Sequence, residues 1–143
     1  MDADAEKGYE FVDHTADVVV RAWGPHMAQV FEQAGLAMLS LLYDRRSVAG
    51  SRTFSLTASA EDRELLLAAW LNELLYQVEG RRVVFSALHV LSVGERTLTA
   101  VARGEPFDGC RHEVRGVVKG ATLHDLSLRP VAGGWEGRVL LDV

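Results

Sequence analysis

The chain has one cysteine, Cys110, in 143 residues. An internal disulfide is therefore excluded, and this usage fits a reducing compartment, which leads us to expect a cytoplasmic protein. Lysine is almost as scarce: of fifteen basic residues only Lys7 and Lys119 are lysines. An ammonium and a guanidinium do different work, so Lys119, outside the tail, stands out. No apolar run approaches the ~20 residues needed to cross a bilayer. The acidic opening Met1–Lys7 has no apolar core and reads as a frayed tail, not a leader. Positive charge is also short. A net charge of −5 argues against unaided gripping of long nucleic acid, which needs clustered Lys and Arg. There is no phosphate-cradling glycine loop and no nucleophile elbow. Cys110 and His112 are too few to specify zinc, and His26 and His89 read as structural. What remains open is a metal, a small ligand or a protein partner.

What is present is an ample core, with 48% hydrophobic residues, and a patterned order of elements. Tyr9–Val12 and Val18–Trp23 read as antiparallel strands. Gly24-Pro25 breaks the second, and Met27, Val30, Phe31, Ala34, Met38, Leu41 and Leu42 fall on one helical face ending near Tyr43-Asp44. Thr53–Ala58 alternates as a half-buried strand. Ser59–Asp62 opens a second helix to about Val78, apolar over most of its circumference, with Asn72 and Glu73 as its few polar outlets. Short strands follow at Val83–Phe85, Leu88–Val93, Thr97–Ala102, Val114–Lys119, Leu123–Leu128 and Trp135–Leu141. Strands in runs point to an α+β fold, a two-layer sandwich with two helices on one face of a mostly antiparallel sheet. The expected organisation is a disordered tail over residues 1–8 and one domain over residues 9–143.

Between the first two strands lies Asp13-His14-Thr15-Ala16-Asp17, two carboxylates and an imidazole in five residues. It has none of the Gly, Asn or Pro that hairpin turns recruit, yet Asp caps its own backbone well, so a plain turn and a site both stay open. Asp142 and the carboxylate of Val143 stand at the far end. Hard cations such as calcium or magnesium take carboxylate and carbonyl oxygens. If the last strand lies beside the first hairpin, Asp17, Asp142 and Val143 can converge. Solvated strand-end aspartates are the alternative.

The run Tyr9–Asp17, followed by Ala22-Trp23-Gly24, resembles the opening of the archease family. Val30–Ala34, Leu67–Tyr76, Gly104–Phe107, His112, Val118-Lys119, Thr122–His124 and Leu141–Val143 are similar to the family's later segments, in the same order over nearly the whole chain. The sequence departs from the family pattern at Pro25-His26, Gly120-Ala121 and Leu123.

The resemblance implies an accessory protein, not an enzyme. Archeases assist the tRNA-splicing RNA ligase that joins 3′-phosphate or 2′,3′-cyclic phosphate ends to 5′-hydroxyls with guanylate and divalent metal. They promote its guanylylation and multiple turnover. Carried onto this chain, Asp17, Asp142 and Val143 hold a divalent cation, calcium first and magnesium or manganese as alternatives. Asp13 and His14 support them, and Lys119 is needed for activation. The expected partner is that ligase, with neither strong direct nucleic-acid binding nor a membrane. A chaperone-like modulator of a tRNA-modifying enzyme, such as a methyltransferase, is the alternative, and a small metal-dependent hydrolase is a third.

Overall fold

The computed structural model describes residues 6–12 and 17–143. Most of the expected tail, and Asp13 and His14 with it, lie outside the described residues. The element order is β1 Gly8–Val12, β2 Val18–Gly24, α1 Met27–Leu42, β3 Arg52–Ser59, α2 Arg63–Leu75, β4 Val83–Val93, β5 Thr97–Pro106, β6 Gly120–Ala121, β7 Ser127–Val131 and β8 Gly134–Asp142. This is the expected α+β class, with two helices and antiparallel strands. The strands divide between two sheets. One runs β1-β2-β8-β6 with β7 also on β8, and the other runs β3-β5-β4.

α1 lies against β2 and β8 of the first sheet and β4 of the second, while α2 faces β3, β6 and β7. That placement explains why both helices are buried well beyond one stripe. Val30, Phe31, Ala37, Met38 and Leu39 on α1 and Leu66, Leu67, Trp70, Leu71 and Leu74 on α2 have no exposed surface. A helix packed on two sides is apolar on two sides. Trp70 anchors the pair by donating its Nε1–H to the Phe31 carbonyl at 2.9 Å. As expected, Asn72 is exposed on α2, with Glu73 partly so.

Several boundaries differ from the sequence reading, each for a visible reason. α2 begins at Arg63, because the Ala60 N–H bonds the Arg96 carbonyl and extends the β3–β5 ladder. Asp62, not Ser59, caps the helix, accepting from the Leu65 N–H at 2.8 Å. Beyond Leu75 the helix widens into a π turn over Tyr76–Gly80. Val83–Val93 is one strand, not two, with register shifts between Phe85 and Ala87 and between Val90 and Ser92. Bulges bend a strand without ending it. The buried Tyr43 hydroxyl fills the first, accepting from the Phe85 N–H and donating to the Phe85 carbonyl. Burial pushes that phenol's pKa up. Gly104 allows the same close approach on β5, where a Cβ would sit 2.1 Å from the Val84 carbonyl oxygen.

The expected strand over Val114–Lys119 is reduced to a single bridge from Val114 to Tyr43. Within it Val118 is buried while Val114, Val117 and Lys119 are exposed, and its main chain is held at points, Arg115 by the Leu42 carbonyl and Lys119 by the Asp142 carbonyl. The expected Leu123–Leu128 strand is replaced by β6 and β7, separated by a turn with Asp125 at φ 55°. Among the described residues β7 pairs with β8 alone, and on such an edge strand Pro130, which cannot donate to a ladder, is tolerated.

Candidate functional site

The register of the first sheet decides which residues meet. β2 and β8 are antiparallel, from Gly24 opposite Trp135 to Val18 opposite Leu141. Asp17 precedes Val18 and Asp142 follows Leu141, so both aspartates stand at the same end of two adjacent strands. On the other edge of β8, Gly120 pairs with Asp142 and Ala121 with Leu141. The Lys119 N–H then donates to the Asp142 carbonyl at 2.7 Å. Segments separated by most of the chain thus end together: Asp17 on one side of Asp142, Lys119 on the other, and Val143 just beyond.

Asp17 is half-buried, whereas Asp142 and Lys119 are exposed. Val143 keeps 43% of its surface open. Among the described residues, Asp142, Lys119 and Val143 are thus open to a ligand or partner, and Asp17 partly so. Exposed Val117 and Leu123 border Lys119 along its own segment. Among the described residues, no three His, Cys, Asp or Glu side chains come close enough to hold a metal. The two aspartates offer hard oxygen donors of the kind calcium, magnesium or manganese takes, but such ions use six or more ligands. The oxygen chemistry fits a hard cation, and the coordination shell needs main-chain, terminal or solvent oxygens as well.

The loop that leads towards Lys119 holds a second polar cluster, one that the sequence reading did not assign to a site. His112 is buried on the loop after β5, and its Nδ1 accepts from the Asp108 N–H at 2.8 Å. The ring proton therefore lies on Nε2, which faces Glu105 Oε2 at 2.8 Å. Glu105 also accepts from Arg111 and, at 2.7 Å, from the Ala49 N–H. The Arg111 hydrogen bond, then that of Ala49, then that of His112, hold the Glu105 pKa down at about 2. A carboxylate so supplied with donors stays ionised even when largely buried. From this knot the chain runs through the Arg115 N–H, bonded to the Leu42 carbonyl, and buried Val118 to Lys119. The signal for the cluster was a glutamate in an apolar strand, seven residues before a histidine.

A model of the Archease protein family matches residues 9–143. The chain is similar to the protein archease of Methanosarcina mazei, with 36% identity over 141 residues, covering 96% of this chain and 97% of that one. It superimposes on the solution structure of protein 1598 of Methanobacterium thermoautotrophicum with a TM-score of 0.77 and 33% identity, covering 95% of this chain and 99% of that one. It shares its fold with a crystal structure from Thermotoga maritima described as an archease and possible chaperone, at a TM-score of 0.65 and 16% identity over 92% of this chain and 94% of that one.

Proposed function

The chain belongs to the archease family, and from that premise we propose that it activates the tRNA-splicing RNA ligase that joins 3′-phosphate or cyclic-phosphate ends to 5′-hydroxyls, promoting guanylylation and repeated turnover. The observation that carries this reading is the sheet register that gathers Asp17, Asp142 and Lys119 at one exposed end. Asp17 and Asp142, with Val143 beside them, would hold a divalent cation, calcium, magnesium or manganese. The cation supplies a concentrated positive charge that offsets phosphate charge when nucleotide is bound. Lys119 adds an exposed ammonium on the opposite side of Asp142, suited to a nucleotide phosphate as a point charge. The protein lends these groups to the ligase and needs no nucleophile of its own. A net charge of −5 favours encounter with a basic, RNA-binding partner.

Asp17→Asn and Lys119→Ala test this with purified ligase, GTP and divalent metal. Both positions are away from the core, so melting should be unchanged. Stimulation of guanylylation should fall about 10- to 100-fold, the scale of a lost hydrogen bond to a charged group. Wild-type stimulation by both variants would sink the proposal. Exposed Val114, Val117 and Leu123 favour a second reading, a chaperone-like modulator of a tRNA-modifying enzyme working through an apolar surface. That reading predicts metal-independent rescue of the partner's solubility, unaffected by Asp17→Asn.

A further inference from the structure

β6 is two residues long, pairing Gly120 with Asp142 and Ala121 with Leu141, and is flanked by main-chain bonds from the Lys119 N–H to the Asp142 carbonyl and from the Thr122 N–H to the Leu140 carbonyl. So short a ladder, held on one edge, is weak by itself. The other edge of β6 faces α2, not another strand. There the Asn72 Oδ1 accepts from the Ala121 N–H at 2.9 Å, and the Asn72 Nδ2 donates to the Ala121 carbonyl at 3.3 Å. One side-chain amide meets both main-chain polar groups of one residue, as a neighbouring strand would. Asparagine has the head group for this, an acceptor and a donor in one plane, whereas aspartate lacks the donor and leucine lacks both. The helix that carries the amide is rigidly seated, because the flanking Leu71 and Leu74 are fully buried. Asn72 itself is exposed and adds little to the core.

Lys119 lies two residues before Ala121, and its own N–H is bonded to the Asp142 carbonyl. We propose that Asn72 is a positioning residue for Lys119. It pins Gly120 and Ala121 between the core helix and the last strand, and so fixes where the lysine main chain sits beside Asp142. This rests on the reading of Lys119 as the activating cation. Asp17 and Asp142 do not depend on the clamp, because β8 stays paired with β2 along seven residues without it.

The test uses the full chain carrying Asn72→Leu, with Asn72→Asp as a milder variant that keeps the acceptor. Amide hydrogen exchange should speed up about tenfold at Ala121 and Lys119 in Asn72→Leu, the scale of one lost hydrogen bond, and stay unchanged in β4 and α1. Asn72→Asp should fall between Asn72→Leu and wild type. Calcium affinity, measured by titration of the protein alone, should be unchanged. Stimulation of ligase guanylylation should fall about tenfold and stay low at saturating protein, which general loss of folded chains would not produce. Unchanged exchange at Ala121 and Lys119 overturns the proposal whatever the ligase does. Full stimulation by Asn72→Leu beside an inactive Lys119→Ala overturns the proposal alone. Full stimulation by Lys119→Ala overturns the reading of Lys119 and the proposal with it.

Discussion

At the scale of single residues, polar side chains in this protein repeatedly stand in for missing strands. Tyr43 serves both main-chain groups of Phe85, Asn72 serves both of Ala121, and Glu32, buried on α1, accepts from the Val90 N–H at 2.8 Å beside the second bulge of β4. His112 does comparable work in the loop that leads to Lys119. Replacing it with alanine orphans the Asp108 N–H and removes one donor from Glu105. His112→Ala should cost about 2 kcal/mol, read as a lower urea midpoint at unchanged slope. Lys119 should remain chemically intact in that variant but be less firmly placed. Lys119 was visible in the sequence because it stands nearly alone among arginines, and Asp17 and Asp142 because acidic residues end apolar strands. Asn72 and His112 were legible only as helix polarity and as a match to a motif. Their roles depend on partners 49 and seven residues away, which no local pattern displays.

At the scale of elements, the strongest periodicities survived and the weakest did not. α1 and α2 follow their apolar faces to within a few residues. The segment Val114–Lys119 carries the β-branched residues that strands favour, but that preference acts only where a paired neighbour gives them a surface to pack on. Bulges hid the continuity of β4, because Ser86 breaks the apolar run where the chain merely shifts register. α1 packs tightly at Gly35 on both β4 and α2, where a Cβ would meet Leu88 Cδ1 at 2.8 Å and Leu74 Cδ1 at 2.9 Å. Gly35→Ala gains about 1 kcal/mol of helix propensity but overpacks a filled interior at a cost of about 1–3 kcal/mol. The expected outcome is a net loss in thermal stability. If the melting temperature rises instead, Leu88 and Leu74 have room to yield. Across the outer face of the first sheet, Glu10, Arg21, Glu136 and Arg129 alternate in sign over four strands, with Arg21 also over the Trp23 ring. Burial raises the Glu136 pKa, but hydrogen bonds from Arg21 and Arg129 outweigh it and leave the group below its ordinary value.

At the scale of the whole molecule, the depressed carboxylates set the response to acid. Glu105 is held at about 2, against an ordinary 4.5, by Arg111 first, and Asp44 at about 2 by the Arg46 side chain first. A carboxyl with a lowered folded pKa binds fewer protons than in the unfolded chain, so its contribution is fully present above about pH 4.5. It is lost as the pH falls toward 2. Thermal melts from pH 7 downward should therefore be flat with respect to these two groups until about pH 4.5 and then drop. Added salt should weaken the exposed Asp44–Arg46 share more than the Glu105 share. A melting temperature that stays level to pH 2 would contradict this assignment. The pairing of β8 with β2 carries a further consequence, in time. Val18 and Leu141 are 123 positions apart along the chain (141 − 18), yet directly opposite in the ladder. Joining such distant segments carries the full entropy of closing that loop, so local hairpins such as β4–β5 form early and this ladder late. The junction of Asp17, Asp142 and Lys119 is then among the last parts of the molecule to appear. A chain that has not finished folding has no such junction to offer a partner, and binding at it reports that folding is complete.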